Sequence, residues 1–187
     1  MAEPHASKIE GAAPAAPFHL KGRDMRSILV LLALLAAAPA SAGLAVRFIE
    51  GAPKDRFIFE STCSLGAATV TLDLRGSKAG LVFDTEPDGP GVEVFQPFEV
   101  VEGAALVMRQ PKVPDGGRSV SFDVSAFERG ARIVFTVDVD DTLGGREITV
   151  DGSEIAGTTV TLERDGRTLS ASFNEEAAAT IDDGLCP

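Results

Sequence analysis

Tryptophan and tyrosine are absent from this chain of 187 residues, and it has only two histidines and two cysteines. Basic residues are also scarce: 17 Lys and Arg face 28 Asp and Glu, a formal charge of −11. Each shortage excludes something. An acid excess of this size is wrong for a sequence-independent nucleic-acid binder, which must neutralise phosphates with Lys and Arg. Without clustered Cys or His there is no zinc site. No apolar run reaches the length of a bilayer-spanning helix. What the chain does have is 44% hydrophobic residues, including 11 Phe, enough for one well-filled core and too many for a disordered chain.

The longest apolar run, Ile28–Ala38, follows Arg23 and Arg26 and is succeeded by Pro39-Ala40-Ser41-Ala42. A basic flank, a short apolar stretch and an Ala-x-Ala exit are the marks of a cleaved secretory signal peptide. Residues 25–42 are therefore expected to be the signal peptide, with cleavage after Ala42. Residues 1–24 are expected to be an extension or a misassigned start preceding Met25. No cysteine follows the cleavage point, so a lipid anchor is not indicated. The exported domain would be 43–187, with 145 residues, 13 basic and 25 acidic groups and a charge of −12. Both histidines, His5 and His19, fall in the leader. The expected location is extracellular or periplasmic, with no membrane span in the mature chain.

From Val46 onward apolar residues recur at every second position, as in strands whose successive side chains face opposite ways. Ala131-Arg-Ile-Val-Phe-Thr-Val-Asp-Val139 is the clearest case. Val120/Phe122/Val124, Val70/Leu72/Leu74, Phe57/Phe59, Leu81/Phe83, Val92/Val94, Ile148/Val150, Val160/Leu162 and Leu169/Ala171/Phe173 follow the same rule. Asp165-Gly166 is a two-residue hairpin signal, because both positions tolerate positive φ. Gly144-Gly145 and Glu86–Gly91 are further turns, and Gln110–Gly117, with two prolines, is a longer loop. These features predict an all-β chain of nine or ten short strands in an antiparallel β-sandwich, immunoglobulin-like in the broad sense. A jelly roll or closed barrel is the alternative. Ile58, Val82, Phe95 and Val134 are apolar out of phase and point to a second buried face or an interface.

Cys63 shares the inward parity of Phe57 and Phe59, and Cys186 is the penultimate residue. In an exported chain two cysteines are most simply paired, tying the tail to the early strands. Nucleophilic triads lack an imidazole base, and Gly76-Ser-Lys78 lacks the upstream glycine of a phosphate loop. Two-carboxylate hydrolysis is compatible with so many acids, although a sugar-cleaving site usually wants aromatic stacking surfaces and only Phe is present. Acids do cluster at one strand end: Asp138, Asp140 and Asp141, with Glu147 and Asp151 on an expected returning strand. By parity Asp138 and Asp140 would project to solvent. Such hard-oxygen groups suit Ca²⁺. The plainer reading is a charged edge that keeps sheets from aggregating. Asp84, Glu86 and Asp88 form a weaker second group in a turn.

Three stretches together resemble a known group: Val46–Phe57, Gly91–Glu99 and Phe135–Val150, the last the most specific. They are similar to small exported alphaproteobacterial proteins labelled aggregation factor core, a label taken from sponge proteins of calcium-dependent cell adhesion that contain Calx-beta sandwich modules. The resemblance implies an extracellular β-sandwich that binds Ca²⁺ and adheres; it assigns no ligand residues. The expectation is thus a non-enzymatic exported sandwich acting in extracellular interaction or adhesion, with a protein or cell-surface partner or self-association. A secreted or periplasmic ligand-binding or inhibitor module is the alternative, and a carboxylate hydrolase the third.

Overall fold

The computed structural model describes residues 43–91, 94–143, 149–182 and 186. Residues 1–42, which hold the expected signal peptide, and Val92, Gly144-Gly145, Glu147 and Ile148 lie outside them. Among the described residues ten strands occur in chain order: β1 (Leu44–Ile49), β2 (Asp55–Ser61), β3 (Ala68–Asp73), β4 (Val82–Asp84), β5 (Glu99–Glu102), β6 (Ser119–Val124), β7 (Arg132–Asp140), β8 (Thr159–Arg164), β9 (Arg167–Ser172) and β10 (Ala178–Ile181). They make two antiparallel sheets. One runs β10-β1-β2-β7-β4, with β5 also on β7, and the other runs β6-β3-β8-β9. Neither closes into a barrel, so the sandwich expectation holds. Set apart from β5, β6 and β10, the order 1-2-7-4 facing 3-8-9 is the ABED and CFG order of an immunoglobulin-like sandwich.

Period-two alternation packs the interior as expected. Val70, Leu72, Val120, Phe122, Val124, Val160 and Leu162 of one sheet are buried with Phe57, Phe59, Ile133, Phe135 and Val137 of the other. Phe135 is the hub: its ring lies 5.0 Å from Phe57, 5.5 Å from Phe59, 4.7 Å from Phe98 and 6.4 Å from Phe122 between centroids. Asp165 (φ 49°) and Gly166 (φ 73°) form the two-residue turn between β8 and β9. Cys63 and Cys186 are bonded, with Cα atoms 5.7 Å apart, so the tail is tied to the residues after β2.

Three expectations need correction. Val94 belongs to no strand and is exposed, and Val150 is buried outside any strand. The tail tied by Cys186 also carries a strand that the alternation does not predict: Ala178–Ile181 pairs with β1 from Leu44 to Arg47. Of the out-of-phase residues, Ile58, Val82 and Val134 are buried while Phe95 is partly exposed. The first sheet is therefore covered on its outer side along β7, where every residue from Ile133 to Asp140 is buried.

Candidate metal centre

β7 is the longest strand, and its far end carries the acids. Its outer edge is shared: β5 pairs with the stretch from Val134 to Thr136, and β4 with Asp138–Asp140. The β4 register sets Asp84 directly opposite Asp138 and Val82 opposite Asp140. Residues opposite one another in an antiparallel pair share a face, so Asp84, Asp138 and Asp140 stand together on the outer side of the sheet. Like charges in that relation repel. The expectation that Asp138 and Asp140 reach solvent fails, because that side is covered. Asp84 is 1% exposed, Asp138 6%, Asp140 0% and Asp141 3%.

The cover over the acids is built by the chain after β4. A Cβ placed on Gly91 would collide with both Asp84 Oδ2 and Asp140 Oδ2, so these two carboxylates converge beneath a backbone that only glycine allows so close. Asp115 Oδ1 accepts hydrogen bonds from Thr85 N (2.8 Å) and Glu86 N (3.1 Å), latching the turn after Asp84. Phe83 N donates to Gly117 O at 2.8 Å, and Gly116 N to Phe83 O at 2.9 Å, which closes the far edge of β4. Gln96 N donates to Asp84 O at 3.1 Å and Asp138 N to Gln96 O at 3.4 Å.

Asp55 approaches from β2. Its Oδ1 accepts from Gly51 N and its Oδ2 from Val139 N, both at 3.1 Å, so it ties the β1–β2 turn to β7. Burial pushes its carboxyl up to about 8; the charges of Asp138 and Asp140 push the same way, and the two N–H donors pull back. Burial likewise raises Asp84 to about 7, helped by the Asp140 carboxyl and then Asp115. Asp138 rises to about 7 through burial, then Asp140, then Asp84. None of the ion pairs among the described residues involves Asp55, Asp84 or Asp138. Both carboxylate oxygens of Asp84 and Oδ2 of Asp138 are buried with no hydrogen-bond donor.

The structure thus brings Asp138 and Asp140 together and adds Asp84, which the chain order had placed in a separate group with Glu86 and Asp88. Those two are exposed and stand apart. Asp141 is buried one residue further on, with the opposite strand parity. Asp151 does not join: it is exposed and accepts from Ser153 N, Ser153 Oγ and Glu154 N in a turn of its own. Asp55 and Asp115 escaped sequence reasoning. Asp55 carried a signal, since an acid at the inward parity of Phe57 and Phe59 marks a buried polar group.

Buried carboxylates without donors are costly unless protonated or met by a cation. Among the described residues no group of three or more Asp, Glu, His or Cys is already arrayed around one point as a metal-holding set. The geometric nucleus is the Asp84–Asp140 pair, with Asp138 directly opposite Asp84 in the register of β4 on β7. Compared with protein-family models, with curated proteins and with solved structures, the chain matches none.

Proposed function

We propose that this protein is an exported, non-enzymatic β-sandwich that acts in extracellular interaction or adhesion and binds Ca²⁺ at the end of β7. The observation that carries the cation reading is Asp84: a fully buried carboxylate whose two oxygens lack a donor, converging with Asp140 and paired opposite Asp138. Ca²⁺ takes six to eight oxygens in flexible geometry, and backbone carbonyls and waters complete sets begun by carboxylates. Asp84, Asp138 and Asp140 would supply the charged ligands, with Asp141 as a further candidate. The same burial speaks against hydrolysis, since a general acid must reach its substrate and these carboxyls face no solvent. The disulfide and the leader-like N-terminus support export, and among the described residues no helix is long and apolar enough to cross a membrane.

Thermal melting during a Ca²⁺ titration tests this. An extracellular-type site with Kd near 0.1 mM gains about 2.7 kcal/mol at a hundredfold excess of ion, or several degrees in Tm. Asp84→Asn or Asp140→Asn should remove the gain. A wild-type Tm indifferent to 10 mM Ca²⁺, on the order of that hundredfold excess, would end the cation reading.

A further inference from the structure

The second sheet carries a different surface. Its register aligns Ser121, Thr71, Thr161 and Ser170 in one row across β6, β3, β8 and β9, all on the outer face. The rows on either side hold only Ser and Thr apart from Asp73, Asp123 and Glu163. Thr71 Oγ1 and Ser121 Oγ are 2.7 Å apart, and Thr69 Oγ1 donates to Asp123 Oδ1 at 2.7 Å, so hydroxyls are hydrogen-bonded across β3 and β6. Neighbouring strands repeat these hydroxyls at about 4.8 Å, on the scale of one sugar ring.

At the β6 edge this face runs into a groove. Leu106–Met108 lies along β6, with Met108 N donating to Asp123 O (2.8 Å) and Ser125 N to Leu106 O (2.9 Å). The chain then leaves the edge and encloses a groove of about 340 Å³ lined by Arg109, Gln110, Pro111, Lys112, Ser121 and Asp123. That volume is within the range of small-ligand sites. Prolines at 111 and 114 restrict the loop before any ligand arrives. Arg109 and Lys112 enter none of the ion pairs formed among the described residues, although acids outnumber bases two to one from residue 43 onward. Two cations that form no ion pair among the described residues therefore stand in one groove with an amide, a hydroxyl and a carboxylate.

We infer that this groove and the hydroxyl face beside it bind an acidic glycan. A ring carboxylate or sulfate would meet the Arg109 fork and Lys112, while ring hydroxyls, each both donor and acceptor, would exchange hydrogen bonds with Gln110, Ser121 and Asp123. The one aromatic lining residue, Phe122, is 4% exposed and offers no stacking platform, so charge selects an acidic sugar over a neutral one. The inference concerns the opposite sheet from the Asp84 cluster and stands or falls without it.

Native affinity electrophoresis of the full chain in EDTA tests it, with gels containing polygalacturonate, dextran sulfate, neutral dextran or polyaspartate. Retardation by polygalacturonate, dextran sulfate or both, and not by dextran or polyaspartate, is the expected result; the two sugar polymers separate carboxylate from sulfate as the anion. Arg109→Gln with Lys112→Gln should weaken retardation roughly tenfold per lost cation, with unchanged melting. No retardation by either acidic glycan, equal retardation by polyaspartate, or wild-type retardation of the double variant would overturn the inference. Because chelator is present throughout, failure here leaves the Ca²⁺ reading intact.

Discussion

Stability of the cation-free protein should fall as pH rises from 5 to 7. In the unfolded chain Asp55, Asp84 and Asp138 titrate near 3.8, whereas in the fold they sit at about 8, 7 and 7. Between these values the native state holds protons that the unfolded state has lost. The stability these groups permit is full below pH 4 and drains away as pH climbs toward 7 or 8. One such group costs about 1.4 kcal/mol per pH unit, so Asp55 alone removes about 2.7 kcal/mol between pH 5 and 7. For a domain of this size that corresponds to a drop in Tm of roughly 5–10 °C, with Asp84 and Asp138 adding to it. The background is clean, because residues 43–187 contain no histidine to titrate in this range. The assay is thermal melting by circular dichroism in EDTA at constant ionic strength. Asp84→Asn should make the slope shallower, and Ca²⁺ at pH 7 should restore what the lost protons had supplied. A Tm that stays flat or rises across pH 5–7 in EDTA would refute the reasoning.

Three further outcomes follow from the packing. Gly91→Ala drives a methyl against Asp84 and Asp140; it should cost about 1–3 kcal/mol and abolish any Ca²⁺-dependent rise in Tm, read in the same melts. Phe135→Ala empties the position where four other Phe rings meet and should cost about 3–5 kcal/mol in urea unfolding; a loss under 1 kcal/mol would contradict its place as hub. Cys63→Ala frees the tail from a cross-link spanning 123 residues. The loop-entropy estimate sets an upper bound of about 5 kcal/mol, and an unaltered denaturation midpoint would show that the tether contributes nothing.

Much of the architecture was legible because one face of each central strand is buried. The alternation of Val120, Phe122 and Val124, or of Ile133, Phe135 and Val137, is the direct imprint of that asymmetry. The Asp165–Gly166 turn was legible because its φ values restrict which residues fit. β5 was not: Glu99-Val-Val-Glu102 does not alternate, and it becomes a strand by pairing with the edge of β7. β10, with its small residues Ala178 and Ala179, likewise owes its state to the open edge of β1. Asp138 and Asp140 could be singled out by spacing, but their burial could not, since parity says which face a residue takes and not whether that face is covered.

The sequence by itself determined the two-layer β class, the pairing of the two cysteines and a stretch from residue 43 onward without histidine. Each is a local or compositional property: a periodicity, a spacing, a count. Only the tertiary structure decided that Asp84 belongs with Asp138 and Asp140, and that Gly91 brings the chain down over them. Asp84 is more than fifty positions from Asp138 and Asp140, and no local pattern encodes the register of β4 on β7. The register forms because Phe83 and Val139 share the core, and burying them carries their acidic neighbours together on the outer side.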